Sequence, residues 1–381
     1  MYKNLKLLLN AGTFWTQLIV INLVFLSFFT LPSCNDKPPK VVQSDSILSP
    51  TPIDVRPPFG FPPVPVPSDN PFTKEGLFLG RKLFYDPILS GDNSQSCASC
   101  HKQSSSFVDE NMKFSFGIDG SKGIRNSMPL YNLAYAKRLF WNGAATSLED
   151  LISEPITNPI EMHESWMNTL DELQAHEEYP LLFQRAFGEK GIDSVKVVKS
   201  IAQFLRSIFA FDLATHPDTT FSKRAMTPQQ IRGLRVYVDE EKGDCFHCHS
   251  VSLLNTNYEF MSNGLVENPA QDPGLFEITG RPQDIGRFKV PSLLNIKYTS
   301  PYMHDGRFET LEEVLAFYDT GFHYYPDYPN LLDPNLKKHL DPQTMEPVSR
   351  KWTKQDKEDL IAFLNGLEDS DLLSNPIYSQ P

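Results

Sequence analysis

Several stretches of the chain repeat apolar residues at helical spacing and carry their own start signals. In "MTPQQIRGLRVYVDEEKGDCFHCH", Thr227 stands as N-cap, Pro228 at the first helical position and Gln230 three residues on, a capping box. Ile231, Leu234 and Val238 then share one face, which predicts a helix running towards Cys245. "PFTKEGLFLGRKLFYDPILSGDNSQSCASCH" does the same ahead of Cys97, with Leu77, Gly80, Leu83 and Phe84 on one side. Residues 193–213, "DSVKVVKSIAQFLRSIFAFDL", predict a long apolar-faced helix that closes the first half. "TKQDKEDLIAFLNGLED" pairs Thr353 with Asp356 and lines up Leu360, Phe363, Leu364 and Leu367. In "TLEEVLAFYDTG", Thr310 and Glu313 form another capping box, with Tyr318 in the last turn before Gly321. Strand-like alternation is scarce, so the chain reads as mainly α.

The first residues form a separate pattern. Lys3 and Lys6 precede an apolar run, Leu18 to Leu31, broken by Asn22, Ser27 and Thr30 and too short to span a bilayer comfortably. It ends in "LPSC", which resembles the lipobox of bacterial lipoproteins, where Cys34 becomes the acylated first residue. Ordinary secretory cleavage nearby and a retained membrane helix are the other readings. All three put the remainder outside the cytoplasm. Residues 34–70, with "KPPK", "SPTP" and "RPPFGFPPVPVPSDNP", read as a proline-rich tether, extended and semi-rigid. The expected layout is a signal peptide over 1–33, the tether over 34–70, and two domains over 71–215 and 216–381.

Composition changes the picture at two points. The formal net charge of −12 argues against nucleic acid, whose binding needs a basic footprint. The five cysteines decide the chemistry: apart from Cys34 they are Cys97, Cys100, Cys245 and Cys248, all within "CASCH" and "CFHCH". No cysteine remains for an ordinary structural disulfide. A four-ligand zinc site would not need a histidine directly after each pair, and no βαβ pattern suggests a thioredoxin-like dithiol. An exported chain with C-x-x-C-H twice reads as a c-type cytochrome: the thiols add across the haem vinyl groups, and His101 and His249 place their imidazoles on the irons. His247, inside the second motif, reads as a bystander. Helix, haem motif, loop and closing helix, twice over, is the plan of two tandem cytochrome c-like domains.

Residues 70 to 370 resemble the bacterial di-haem cytochrome c peroxidase family, with its MauG-like branch. The likeness is carried by "LGRKLFYDPILS", "CASCH", "GIRNSMPLYN", "FWNGAATSLEDL", "EPITNPIEMH", "CFHCH", "VPSLLNIKYTSPYMHDGRFETLEEVLAFYDTG" and "DLIAFLNGL", in that order. The resemblance implies an oxidoreductase that reduces hydrogen peroxide to water with electrons from a small cytochrome or cupredoxin. It implies a peroxidatic haem on His101, an electron-transfer haem on His249, Glu161 as distal acid, and Trp141 between the haems. It also implies a calcium ion held by Asn126 and the carbonyls of Thr299 and Pro301. The periplasmic side of a bacterial membrane, a lipid anchor and a homodimer complete the expectation.

Two departures from the family pattern sharpen it. Many members block the peroxidatic iron at rest with a histidine from a mobile loop; the matching loop, Phe116 to Ser127, has Ile118 there, so an open resting iron is expected. Family peroxidases often place methionine beyond the second haem, whereas the matching residue is Tyr318, as in MauG-like proteins, which oxidise residues of a partner protein. Met303 and His323 compete for that position, and His304 reads as a hydrogen-bonding neighbour rather than a ligand. A non-enzymatic electron carrier is the remaining alternative.

Overall fold

The structure is a computed structural model and describes residues 49–211, 225–251 and 254–381. The signal-like run, Cys34, the start of the tether and the end of the predicted 193–213 helix lie outside the described residues. Three apolar cores organise the rest, and the two larger ones are each built on a pair of crossing helices. In the first, the helix Lys74–Tyr85, capped by Thr73, crosses the helix Ser194–Arg206, capped by Asp193. Leu79, Leu83 and Phe84 meet Val197, Ile201 and Phe204, and the Phe84 ring lies edge-on to Phe204 at 5.3 Å. The backbones approach closely at Gly80, where a Cβ would stand 1.8 Å from the Ser200 carbonyl oxygen. Gly80→Ala is therefore expected to destabilise the protein by about 3 kcal/mol, through overpacking that neither helix can relieve; denaturant unfolding would measure it.

The predicted long helix stops at Arg206. Asn132 provides the reason: its side chain bonds both the N–H and the C=O of Ala210, and its own N–H donates to the Ile208 carbonyl. Those groups are satisfied outside a helix, so Ile208 to Ala210 leave the helix and stay buried.

The second core joins the helix Pro228–Val238 to Lys354–Gly366. Both predicted capping boxes form. Of the predicted apolar face of the first helix, only Leu234 packs against this core. Ile231 and Val238 are both 39% exposed, while Gln230, Gly233, Val236 and Tyr237 face inward. Gly233 sets the orientation, because a Cβ there would meet the Asp359 carbonyl oxygen at 2.0 Å. A close backbone seam overrides the broader aliphatic stripe, and Tyr237 packs edge-on against Phe363 at 5.1 Å.

From residue 49 to 70 the proline-rich stretch has no helix and only an isolated bridge, Pro52 with Thr73, but it does not hang free as a spacer. Thr51 donates to Glu75, the Ile53 N–H to the Phe72 carbonyl and the Tyr135 hydroxyl to the Pro62 carbonyl. Phe61 is buried 5.8 Å from the Tyr135 ring, and Asn70 is buried between Glu149, Gln203 and Lys199. Proline removes donors yet leaves carbonyls and apolar rings, and the globule uses both. The C-terminal residues also return to the first core: Arg81 donates to the carbonyls of Pro376 and Ile377, and Leu372 and Tyr378 are buried there. One small antiparallel pairing, Phe260–Met261 with Phe288–Lys289, adjoins the second motif's cavity. The described residues belong to one compact unit, and no helix among them is long and apolar enough to cross a membrane.

Candidate active site: two C-x-x-C-H helices and what faces them

Each motif forms a one-turn helix, Cys97–Cys100 and Phe246–His249. Ser96 and Ser99 close a capping box on the first. The next residues turn sharply through left-handed Ser106 and Phe107, which brings the Phe107 carbonyl 2.8 Å from His101 Nδ1. His249 Nδ1 lies 3.0 Å from the Pro291 carbonyl. In both imidazoles Nδ1 is tied as a donor to backbone, so Nε2 carries the free lone pair, the arrangement of an oriented metal ligand. Burial keeps both rings neutral, pushing His249 down to about 4.

All four thiols are free, and burial pushes Cys97, Cys245 and Cys248 up to about 12 and Cys100 up to about 11. Reactive dithiols and thiolate metal ligands need the opposite environment. Among the described residues the two pairs form no common metal-ligating cluster.

The second motif opens on a cavity of about 1590 Å³, counting its mouth, with Cys245, Cys248 and His249 in its wall. Tyr318 and Met303 line the same cavity. Tyr318 lies within a π-helical turn, Phe317–Gly321, that continues the helix Leu311–Ala316. That turn is pinned: Arg350 Nε donates to the Tyr318 carbonyl, and Asp319 accepts from Ser349, from the Arg350 N–H and from Lys357. Single π turns often mark functional positions. Asn263 Nδ2 faces both candidates, 3.3 Å from the Tyr318 hydroxyl and 3.7 Å from Met303 Sδ. Met303 holds a left-handed backbone, φ 75°. Burial pushes the Tyr318 phenol up to about 12. His323 is exposed and does not line the cavity. His304 is buried, stacked 3.6 Å from Phe288, with Nε2 3.5 Å from Asp272. His247 pairs with Asp244 at 2.5 Å.

The residues beside the first motif come from a tight turn after the helix Leu148–Thr157. Glu161 sits there, close enough for its charge to act on Cys97 and Cys100. Burial, then repulsion by Glu154, push it up to about 7, against a hydrogen bond from Asn158 Nδ2 at 2.9 Å. The Ile118 N–H donates to the Glu161 carbonyl at 3.0 Å. Gly117 allows that docking, since a Cβ there would meet the Ile160 and Glu161 carbonyls at 2.3 and 2.7 Å. The loop that carries Ile118 thus clasps the turn that carries Glu161.

Trp141 lines the second cavity, and its Nε1 donates to the Asn126 carbonyl at 2.8 Å. The adjacent Ser127 reaches the first motif, its Oγ 3.2 Å from the Cys100 carbonyl and 3.4 Å from His101 Nδ1. Asn126–Ser127 therefore connects the first motif to Trp141 and the second cavity through a few bonds. Asn126 Nδ2 donates to the carbonyls of Met112 and Lys113, which turns Oδ1 the other way; Thr299 and Pro301 line the same cavity. Next to it, Arg125 holds Asp272 and Glu277 at 2.5 and 2.9 Å.

Sequence reasoning passed over Asn158 and Glu154, although their spacing to Glu161 was visible. It also missed Lys289. This lysine is 3% exposed and lines the cavity, and no carboxylate among the described residues pairs with it; burial pushes it down to about 8. A buried cation in an apolar cavity calls for an anion.

A mainly helical chain with two C-x-x-C-H turns, each histidine oriented through Nδ1, has the build of a di-haem cytochrome. It belongs to the di-haem cytochrome c peroxidase family, MauG-like proteins included: the model of that family matches residues 74–224. The cytochrome-c peroxidase IdrP1 of Pseudomonas sp. (strain SCT) is 31% identical over 357 residues, covering 85% of this chain and 89% of the relative. The methylamine utilization protein MauG of Methylorubrum extorquens is 32% identical over 306 residues, with 80% and 81% covered. Among solved structures, a MauG-like protein associated with microbial copper homeostasis superposes with a TM-score of 0.74 at 33% identity, covering 85% of this chain and 98% of its own. The protein is thus a peroxidase-type oxidoreductase, and its family carries c-type haems. The second cavity fits such a group: apolar walls, two thiols, a free Nε2, and in Lys289 a cation for a propionate.

Proposed function

We propose that the protein reduces hydrogen peroxide to water with two electrons from an external donor, at a haem site beside Glu161 that is open when fully oxidised. The observation that carries this reading is Glu161 itself, a half-buried carboxyl near pKa 7 whose charge reaches the first motif. Haem iron, when bound, supplies the electron transfer and O–O cleavage. In this reading Cys97 and Cys100 hold the first haem with His101 as its ligand, and Cys245, Cys248 and His249 do the same for the second. Glu161 takes the proton from one peroxide oxygen and returns it to the other, and a carboxyl near pKa 7 can do both. Ile118 has no lone pair for iron, and its N–H steadies the Glu161 turn, so the loop supports the acid without blocking the site. Trp141 links the second cavity to the first motif through Asn126–Ser127.

In this reading Tyr318 would give the second haem its oxygen ligand, as a phenolate that has released its proton. That residue favours a second reading, oxidation of side chains in a bound partner protein as in the MauG-like branch. Asn126, with the Thr299 and Pro301 carbonyls, offers hard oxygen ligands to Ca²⁺. The donor is a small cytochrome or cupredoxin, the protein sits on the periplasmic side of a membrane through a lipid on Cys34, and it pairs as a homodimer.

Rapid mixing of the diferric holoprotein with hydrogen peroxide tests the proposal. A spectral change without prior reduction is expected, with a rate that rises with pH through about 7, because only ionised Glu161 accepts the first proton. A spectrum indifferent to peroxide until one haem is reduced would contradict the open site.

A further inference from the structure

Peroxide reduction consumes protons as well as electrons: H2O2 + 2 e⁻ + 2 H⁺ gives two molecules of water. Glu161 is half-buried beside the first motif, and those protons must reach it from solvent. The turn that positions Glu161 also holds a second carboxylate. Glu154 lies in the last turn of the helix Leu148–Thr157 and reaches solvent. Asn158, which caps that helix, donates from one nitrogen to both: Nδ2 is 3.0 Å from Glu154 Oε1 and 2.9 Å from Glu161 Oε1. The fork of an amide NH₂ puts those two oxygens about 5 Å apart, a span that one water bridges.

Three features disfavour two negative charges there. Glu161 is partly desolvated beside the motif, the carboxylates repel one another, and Glu154 stands at the negative end of a helix dipole. No lysine or arginine among the described residues forms an ion pair with either. The other titratable neighbours do not replace that missing charge. Cys97 and Cys100 add no charge, as buried thiols or as haem thioethers. Asp119, on the clasping loop, is exposed and held ionised by the Ser121 N–H, and His163, on the turn, is exposed. Partial burial raises Glu154 as well.

We propose that Glu154 and Glu161 hold one proton between them across Asn158, with Glu154 as the solvent-side member that reloads Glu161 in each turnover. The reloading role rests on the peroxidase reading; the shared proton does not. Glu154 touches no substrate and acts through Glu161, as a positioning residue for the proton. In each cycle a proton passes from water to the Glu154 carboxylate, across the bridging water to Glu161, and from Glu161 to a departing oxygen. Both carboxylates end as they began.

Infrared pH titration of the carboxyl band in the holoprotein, with Glu154→Gln and Glu161→Gln beside the wild type, separates the two parts. The wild type is expected to lose one protonated carboxyl as pH rises through about 7. In Glu154→Gln the midpoint moves to lower pH, since the like charge is gone. Steady-state peroxide turnover above pH 7 falls roughly three- to tenfold, and Glu154→Asp, which keeps a carboxyl, recovers part of it. A midpoint unmoved in Glu154→Gln overturns the shared proton. A moved midpoint with unaltered turnover overturns the reloading role. A wild type that titrates as expected yet turns over no peroxide refutes the peroxidase reading and the reloading with it, leaving the shared proton standing.

Discussion

Glu161→Gln is expected to slow the reaction of the diferric protein with hydrogen peroxide by about two to four orders of magnitude, the usual contribution of a placed general acid–base group. Glutamine keeps the shape and an oxygen that can still accept from Asn158 Nδ2, now 2.9 Å from Glu161 Oε1. The Ile118 N–H bonds the main-chain carbonyl of residue 161, which the substitution leaves in place. What is lost is the ability to take a proton and return it. The haem absorption spectrum and the unfolding midpoint should therefore match the wild type while the peroxide rate collapses. A variant within a factor of a few of the wild-type rate would remove Glu161 from the chemistry.

The second large effect is expected at Tyr318. Tyr318→Phe removes the phenolate proposed to close the second haem while keeping the ring that packs against Phe317 at 5.0 Å. An anionic oxygen ligand stabilises the ferric state, so its loss should raise the potential of that haem by on the order of 0.1 V, a fraction of the range that axial ligands set. Met303 is the natural replacement, because its sulfur shares Asn263 Nδ2 with the Tyr318 hydroxyl. Thioether ligation would push the potential further in the same direction. Spectroelectrochemical titration of both proteins checks this; a second-haem potential unmoved by the substitution would mean that Tyr318 is only a neighbour.

Local signals mark the starts of helices reliably. The capping boxes at Thr227, Thr310 and Thr353 all form, because a cap depends on residues three apart and little else. Faces and ends were less legible. Ile231 and Val238 lost the interior to Gly233 because a glycine seam against Asp359 exists only once two helices meet. The helix from Ser194 ends at Arg206 because Asn132, more than seventy residues earlier, takes over the backbone bonds of Ala210. The site shows the same division. The C-x-x-C-H motifs read directly from spacing and Glu161 only from the family resemblance, whereas the carbonyls that orient His101 and His249 come from Phe107 and Pro291, and main-chain acceptors leave no mark in a sequence. Lys289 reads as an ordinary strand lysine until the fold buries it in the cavity wall.

The central claim is an asymmetry: one iron open beside Glu161, the other closed by Tyr318. Low-temperature electron paramagnetic resonance of the diferric wild-type protein tests it most directly. The account predicts one high-spin and one low-spin ferric haem in equal amounts, with only the low-spin signal altered in Tyr318→Phe. Two low-spin signals in the wild type would contradict it.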